Sequence, residues 1–432
     1  MLNAGLRIFA AYALFAGAAG QERVKASSYG FSREDATAAV QAAIDSGAKQ
    51  VTVPYMGAPW IIRPVKLRGD LELIFEPGVL VLAKRGEFKG RGDTLFTAMD
   101  ARNLIIRGYG ATLRMWKSDY QKPPYEKAEW RMGISIRGCR NVLIEGLRIE
   151  STGGDGVYID GGGTMKWSED VTVRNVTMHD NHRQGMSVIS AVNLLVENCV
   201  FSSTSGTPPE AGIDLEPDAP DQRLVNCVIR NSVFENNSGH AILIYLRPLD
   251  RTSAPVSIRF ENCHSRMGSP GMAREDFKDI AQRGWAGMSV GAVKDEGPAG
   301  LIEFINCTSE NTGKEGARIY DKSARGVRVR FVNCSWKSPW VSAHRDAAEP
   351  RVPVLIQQRR PEITKQAGGI DFENCHVYDA VARPAVLFDE DRGEAGLADV
   401  TGRITLHGPS GARARLGAKQ IRVDLKIVEE QR

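Results

Sequence analysis

Apolar residues in this chain alternate with polar ones in short runs, and the runs keep ending in the same way. Val196-Glu197-Asn198-Cys199, Phe260-Glu261-Asn262-Cys263, Phe304-Ile305-Asn306-Cys307, Phe331-Val332-Asn333-Cys334 and Phe372-Glu373-Asn374-Cys375 each close one. Val173-Arg174-Asn175-Val176 and Ile229-Arg230-Asn231-Ser232 match with the cysteine replaced. These asparagines are spaced by 23, 33, 31, 44, 27 and 41 residues, which is a short unit carrying insertions. Period-two patterning means strands, because successive side chains on a strand point to opposite faces, and it excludes helical repeats. A repeating strand-and-turn unit of this length predicts a β-solenoid, each coil burying its inward side chains against the coils above and below.

A second strand recurs after a small residue: Gly156-Val157-Tyr158-Ile159-Asp160, Gly185-Met186-Ser187-Val188-Ile189, Gly212-Ile213-Asp214-Leu215-Glu216, Ala241-Ile242-Leu243-Ile244-Tyr245, Gly287-Met288-Ser289-Val290-Gly291 and Gly316-Ala317-Arg318-Ile319-Tyr320. Laid in register, they turn Val157, Ile159, Met186, Val188, Ile213, Leu215, Ile242, Ile244, Met288, Val290, Ala317 and Ile319 inward. Tyr158, Asp160, Asp214, Glu216, Tyr245, Arg318 and Tyr320 then share an outer face. The asparagines are expected to stack inside the turns as a buried amide ladder, with the adjacent cysteines as a second internal stack. The seven cysteines therefore read as small buried hydrophobes rather than disulfides, and no His or Cys spacing resembles a zinc site.

Ahead of the coils, Ser32 is expected to cap a helix running to Asp45, with Ala36, Val40, Ala43 and Ile44 on one face and Gly47 ending it. The stretch Asp35-Ala36-Thr37-Ala38-Ala39-Val40-Gln41-Ala42-Ala43-Ile44-Asp45, followed by Val51-Thr52-Val53-Pro54, resembles the entry of right-handed parallel β-helix enzymes of the pectin lyase-like superfamily, to which pectate lyases and polygalacturonases belong. Together with the asparagine pattern the resemblance spans nearly all of residues 30–410. It implies an all-β fold, a single-stranded right-handed parallel β-helix with an N-terminal capping helix. It leaves the reaction open, because hydrolases, lyases, epimerases and non-enzymatic modules share this fold.

Composition adds little to the fold but narrows location and partners. A net charge of +4 from 56 basic and 52 acidic side chains argues against a nucleic-acid partner. Residues 1–20 read as a signal peptide: Arg7, an apolar run over Ile8–Ala19, and small residues for cleavage at Ala16-Gly17-Ala18 or Ala18-Ala19-Gly20. The expected organisation is a signal peptide over 1–20, a segment with the capping helix over 21–50 and the β-helix over 51–432. The mature chain is expected to be secreted or periplasmic, free of the membrane, with a polysaccharide or oligosaccharide as partner; its oligomeric state is not legible.

The outer face carries the candidate chemistry. Asp214 and Glu216 stand two apart on one strand, with Cα atoms ~6.7 Å apart, and Asp160 shares the Glu216 column two coils earlier, roughly 9.6 Å away. Paired carboxylates act in glycoside hydrolysis at about 5–5.5 Å for retention and 6.5–9.5 Å for inversion, so Asp214, Glu216, Asp155 and Asp160 are the catalytic candidates. Tyr158, His182, Arg183, His240, Tyr245, Arg247, Arg318 and Tyr320 are the substrate-binding candidates, arginine being suited to a sugar carboxylate. The insertions Met115–Arg131, Met267–Gly284 and Trp336–Arg351 precede these strands and are expected to wall the face, bringing Trp116, Tyr120, Tyr125, Trp130, Trp285, Trp336 and Trp340 as rings able to stack on sugars. Thr152-Gly153-Gly154-Asp155-Gly156 is similar to the polygalacturonases' Asn-Thr-Asp-Gly turn, and the Arg318 strand to their Arg-Ile-Lys strand. Arg183-Gln184 replaces that family's Asp-Asp pair, Ala211-Gly212 its His-Gly, and Tyr320 its lysine.

The leading expectation is glycosidic-bond cleavage by acid/base hydrolysis, requiring no cofactor. The alternatives are a lyase or uronate C5-epimerase, for which Asp214, Glu216 and Asp218 would supply oxygen ligands to calcium, and a non-catalytic glycan-binding or surface-structural module.

Overall fold

The computed structural model describes residues 22–268, 284–340, 351–391, 395–409 and 413–430. The expected signal segment 1–20 and much of the two later insertions lie outside them. All paired strands run parallel from coil to coil, apart from two isolated antiparallel bridges. Among the described residues, twelve strands stack into one sheet, while twenty-two form a second that bends around two further faces. The bend is visible where strand Arg140–Glu150 pairs with Ser168–Arg174 and, past Asn175, with Thr177–His179. The result is the expected right-handed parallel β-helix.

The register read from the sequence holds along the twelve-stranded sheet, pairing Tyr158 with Ser187, Ser187 with Asp214, Asp214 with Leu243, Leu243 with Ser289, and Ser289 with Arg318. The twelve inward residues named above are at most 1% exposed and belong to one continuous core. Tyr158 and Ile189 instead pack with Met132 on the outer face. On the other faces, identical residues stack on themselves: the rings of Phe260, Phe304, Phe331 and Phe372 lie 5.1–5.4 Å apart and within 14° of parallel. All seven cysteines are free and buried, as expected.

Three expectations need correction. The asparagine ladder exists, with each Nδ2 donating to the preceding Oδ1 from Asn262 to Asn231, Asn306 to Asn262, Asn333 to Asn306 and Asn374 to Asn333 at 2.9–3.2 Å, but it lies on the surface. The reason is backbone geometry: the seven asparagines hold φ of 50–54°, the left-handed conformation that turns one strand into the next face, and asparagine tolerates it because its amide hydrogen-bonds locally. Asn226, also followed by a cysteine, belongs to a second ladder, donating to Asn193 at 2.9 Å.

The helix runs over Thr37–Asp45, later than Ser32 implies. Ser32 Oγ accepts from the backbone of Glu34 and Asp35 in a local turn, and Asp35 accepts from Thr37 N at 3.0 Å. A strand at Arg23–Lys25 precedes it and pairs with Gln50–Val53, so the first coil begins before the helix, whose Ala39, Val40, Ala43 and Ile44 close the core's end. Finally, Trp336 is core. It lies in register with Ser309 and Val377 on strand Ser335–Lys337, is fully buried, and meets Phe331 and Phe372 edge-on.

Candidate active site

The outer face of the twelve-stranded sheet gathers Asp155, Arg183, Asp214 and Glu216. Asp155 sits in the turn before Val157–Asp160, and Arg183 in the equivalent turn one coil on. Asp214 is outward on Ile213–Leu215, and Glu216 follows it, its amide donating to the carbonyl of Val188 at 3.1 Å. Arg183 is the hub. Its guanidinium lies 3.9 Å from Asp155, 4.0 Å from Glu216 and 4.0 Å from Glu129. Glu129 comes from the Met115–Arg131 insertion, which Arg131, fully buried, ties to the body by donating to the carbonyls of Phe88, Lys89 and Glu126 at 2.6–3.2 Å.

Burial separates the carboxylates. Asp214 is 1% exposed and accepts from Gln184 Nε2 at 2.9 Å. Burial, then the neighbouring Glu216, push its carboxyl well above the usual range, against the pull of Arg183. Asp155 is fully buried and is pushed up to about 6 by burial, with Arg183 and Ser187 opposing. The side chains of Glu216 and Glu129 remain 30% and 28% exposed, so these are the carboxylates that a bound molecule meets. Two acids two residues apart, one dry and one wet, can hold a single proton between them.

Asp160 plays a different part. It accepts from the Tyr158 hydroxyl, the Gly161 amide and Gln222 and lies 3.4 Å from Arg137, whose guanidinium covers the Tyr158 ring. Tyr158 and Asp160 thus brace one another a coil away from the hub. Burial and the nearby Asp160 raise the Asp218 carboxyl, so Asp218 belongs with Asp160 rather than with the Asp214–Glu216 pair. Among the described residues no three His, Cys, Asp or Glu side chains converge to hold a metal ion, so Asp214, Glu216 and Asp218 do not form such a group.

Beyond the carboxylates, toward the C-terminal coils, the face turns aromatic and basic. Trp285, 38% exposed, stands 5.2 Å from the His240 ring, with Lys314 Nζ 4.1 Å from its centroid and the Arg318 guanidinium 5.9 Å away. Arg318 donates to Gln357 at 2.6 Å and lies 5.2 Å from the Tyr320 ring. Tyr320 leans over Gly291, where any Cβ would meet its Cζ at 2.1 Å, and so reaches toward Tyr245 and the acids. Burial raises its phenol well above the ordinary value, which keeps it a hydrogen-bond donor. Tyr245 accepts from Arg360 at 3.1 Å, and Arg247 pairs with Glu362 at 3.1 Å at the rim.

Neither histidine is a charge switch near neutral pH. Burial, helped by Lys117, pushes His182 down to about 4, and its Nε2 is 2.8 Å from Thr207 Oγ1 in a neighbouring loop. Burial and Arg318 push His240 down to about 3. Among the ring candidates, Trp116 donates to Ala83 and stacks under Arg85, while Tyr120 packs buried against Tyr125 and Phe88. Trp340, 5% exposed, donates to Val352, which leaves Trp130 and Trp285 as the exposed rings of that set.

Sequence reasoning did not single out Glu129 or Gln184 as site residues. Glu129 lies in an insertion that has no register to count along. Gln184 drew notice only as a replacement, although its position one coil from Asp214 was available from the alignment of strands.

Residues 127–266 match the family model described as right handed beta helix region. A curated relative, the SPbeta prophage-derived uncharacterized protein YorA of Bacillus subtilis (strain 168), is 26% identical over 283 residues, covering 62% of this chain and 45% of that protein, so the match spans less than half of the relative's length. Among solved structures, the A-module of mannuronan C-5 epimerase AlgE6 from Azotobacter vinelandii aligns with a TM-score of 0.57 at 14% identity, over 94% of this chain and 99% of that one. The family 28 exopolygalacturonase of Yersinia enterocolitica aligns at 0.56 and 12% identity, over 95% and 79%. At such identities the likeness speaks for the fold alone, and that fold is the right-handed parallel β-helix.

Proposed function

We propose that this protein is an exported enzyme that hydrolyses glycosidic bonds of an acidic polysaccharide. What carries the reading is the buried Asp214 with its raised carboxyl beside the partly exposed Glu216, which Arg183 bridges to a second accessible carboxylate, Glu129. In this scheme the proton shared by Asp214 and Glu216 passes to the glycosidic oxygen as the bond to the anomeric carbon breaks. Glu129, beside Arg183, takes a proton from the water that attacks that carbon. Trp285 offers a face for a sugar ring, and Arg318 with Lys314 supplies positive charge for a uronate or sulfate.

Hydrolysis is favoured over β-elimination because the accessible groups at the hub are carboxylates, and because Tyr320 is held protonated rather than poised as a base. Screening the protein against a panel of neutral and acidic polysaccharides tests this. New reducing ends without an unsaturated uronate chromophore, lost in Asp214→Asn, are expected. The chromophore would identify a lyase, altered uronate configuration without cleavage an epimerase, and retention without turnover a binding module.

A further inference from the structure

Gln184 is fully buried just ahead of strand Met186–Val188, and both ends of its side-chain amide are committed. Its Oε1 accepts from the backbone amide of Ala211 at 2.8 Å, and its Nε2 donates to Asp214 Oδ2 at 2.9 Å. A backbone N–H can only donate, so the Ala211 contact settles which end of the amide is oxygen and leaves the N–H end for Asp214. The same two coils are clamped beside it, where the amide of Gly185 donates to the carbonyl of Ala211 at 3.0 Å. The orientation is therefore imposed by backbone and does not follow the charge of the acid.

What this does to Asp214 follows from the groups a carboxylic acid carries. When protonated it has one hydroxyl and one carbonyl oxygen. A hydroxyl at Oδ2 would set its proton against the Gln184 N–H, two donors face to face, whereas a carbonyl there accepts it. The proton is thereby directed to Oδ1. That oxygen is shielded from solvent, and no N–H or hydroxyl among the described residues reaches it. The Glu216 carboxylate, 30% exposed, lies within hydrogen-bonding reach of the Asp214 side chain, so the proton the two acids share is the one on Oδ1. The other charged or titratable groups around Asp214 are Arg183 and Asp155, in the turns of the two preceding coils, and the Tyr320 phenol. Those groups act on how tightly the proton is held; the Gln184 amide acts on where.

We infer that Gln184 is a positioning residue for the acid pair: by occupying Asp214 Oδ2 it holds the proton on Oδ1, where it is shared with Glu216, and so makes Glu216, the exposed member, the one that hands it to a bound substrate. The consequence rests on the hydrolytic reading; the place of the proton does not.

The test is infrared spectroscopy on the full chain with isotope-labelled aspartate carboxyls, following the C=O band of protonated Asp214, recognised as the one absent from Asp214→Asn. With the proton on Oδ1, the carbonyl is Oδ2 and carries the Gln184 bond, so Gln184→Met should move the band to higher frequency. The same variant should lower kcat about 10–100-fold with KM nearly unchanged, and shift the alkaline limb of the kcat profile upward, because losing an N–H donor disfavours the ionised acid. Gln184→Glu keeps the Ala211 bond and donates to Oδ2 only while its new carboxyl is protonated. It should match the parent in band position and rate at low pH, and lose rate as pH rises with the melting temperature still unchanged. A side chain that only fills space would move neither the band nor the limb. A band unmoved in Gln184→Met overturns the inference and leaves hydrolysis standing. If that variant does not fold, a Gln184→Glu whose band and rate follow the parent's at every pH overturns it equally. A band that moves in a protein whose parent cleaves no polysaccharide upholds the place of the proton and overturns the hydrolytic reading.

Discussion

The wall that carries the phenylalanines and cysteines and the wall that carries Asp214 hang on the same parallel hydrogen-bond ladder, yet they use it oppositely. On the first, four successive rungs repeat one another: phenylalanine lies on phenylalanine from Phe260 to Phe372, and at the bend asparagine bonds asparagine. On the outer face of the second, from Tyr158 to Arg318 no rung repeats its neighbour, and Tyr158, Ser187, Asp214, Leu243, Ser289 and Arg318 succeed one another in a single column. Repetition lets each coil satisfy the next, which is how a solenoid gains stability by adding units. Variety leaves groups that only a loop or a ligand can satisfy, and Glu129 and Arg183 are part of that answer. The first wall should therefore respond to substitution in stability, and the second in activity.

That contrast can be broken at either end. The largest effect is expected at the hub: Asp214→Asn, Glu216→Gln and Glu129→Gln should each lower kcat about 10²–10⁴-fold on a polymer the parent cleaves, with melting temperature nearly unchanged. Full activity in all three would move the chemistry elsewhere, and loss in Asp214→Asn and Glu216→Gln alone would remove Glu129 from its role as base. Conversely, Phe304→Ala should cost about 3–5 kcal/mol in denaturant melts while leaving kcat of the folded fraction intact. A rate that fell with stability preserved would erase the distinction between the walls.

Asp155 belongs to both categories, and pH separates them. Its carboxyl is pushed from an ordinary 3.8 up to about 6 in the folded chain, so the native state holds the proton more tightly than the unfolded one. This group's contribution to stability is full below about pH 4 and is lost as pH rises through 6, by at most about 3 kcal/mol. Asp155→Asn should flatten that decline in melts taken from pH 4 to 7.5; an unaltered slope would count against the raised value.

Smaller effects sharpen the picture of the turns and of the basic end. Asn262→Leu forces a branched aliphatic residue into the left-handed region at about 1–2 kcal/mol, whereas Asn262→Gly should lose little more than the amide bonds. Equal melting temperatures for the two would mean that side-chain bonding, not backbone geometry, governs the position. Arg318→Gln is expected to raise KM severalfold for an acidic polymer and to flatten its salt dependence, leaving a neutral substrate unaffected. Equal losses on both would make Arg318 a packing partner of Trp285 and Tyr320.

What could be read from the sequence follows the same division. Period-two alternation reported the inward column residue by residue, because burial leaves an imprint on every second position of a strand. The asparagines revealed their spacing but not their side of the wall, since an amide ladder looks the same in sequence whether it lies inside or outside; only the positive φ decides. Trp336 misled because it borders an insertion, yet counting two residues on from Cys334 would have turned it inward. The hub was half legible: Asp155, Asp214 and Glu216 stood in register, but a guanidinium collecting carboxylates from three segments is a long-range arrangement that strand counting does not reach.

The unpaired thiols make the molecule its own recorder of unzipping. Cys139, Cys199, Cys227, Cys263, Cys307, Cys334 and Cys375 are all buried and are distributed along the stack of coils. In a stack where each coil leans only on its neighbours, loosening that begins at one end would expose these sulfurs in sequence, and loosening throughout would expose them together. Pulsed alkylation read by mass spectrometry would thus assign a time to each coil with no residue altered, and the order of those times would show from which end the helix comes apart.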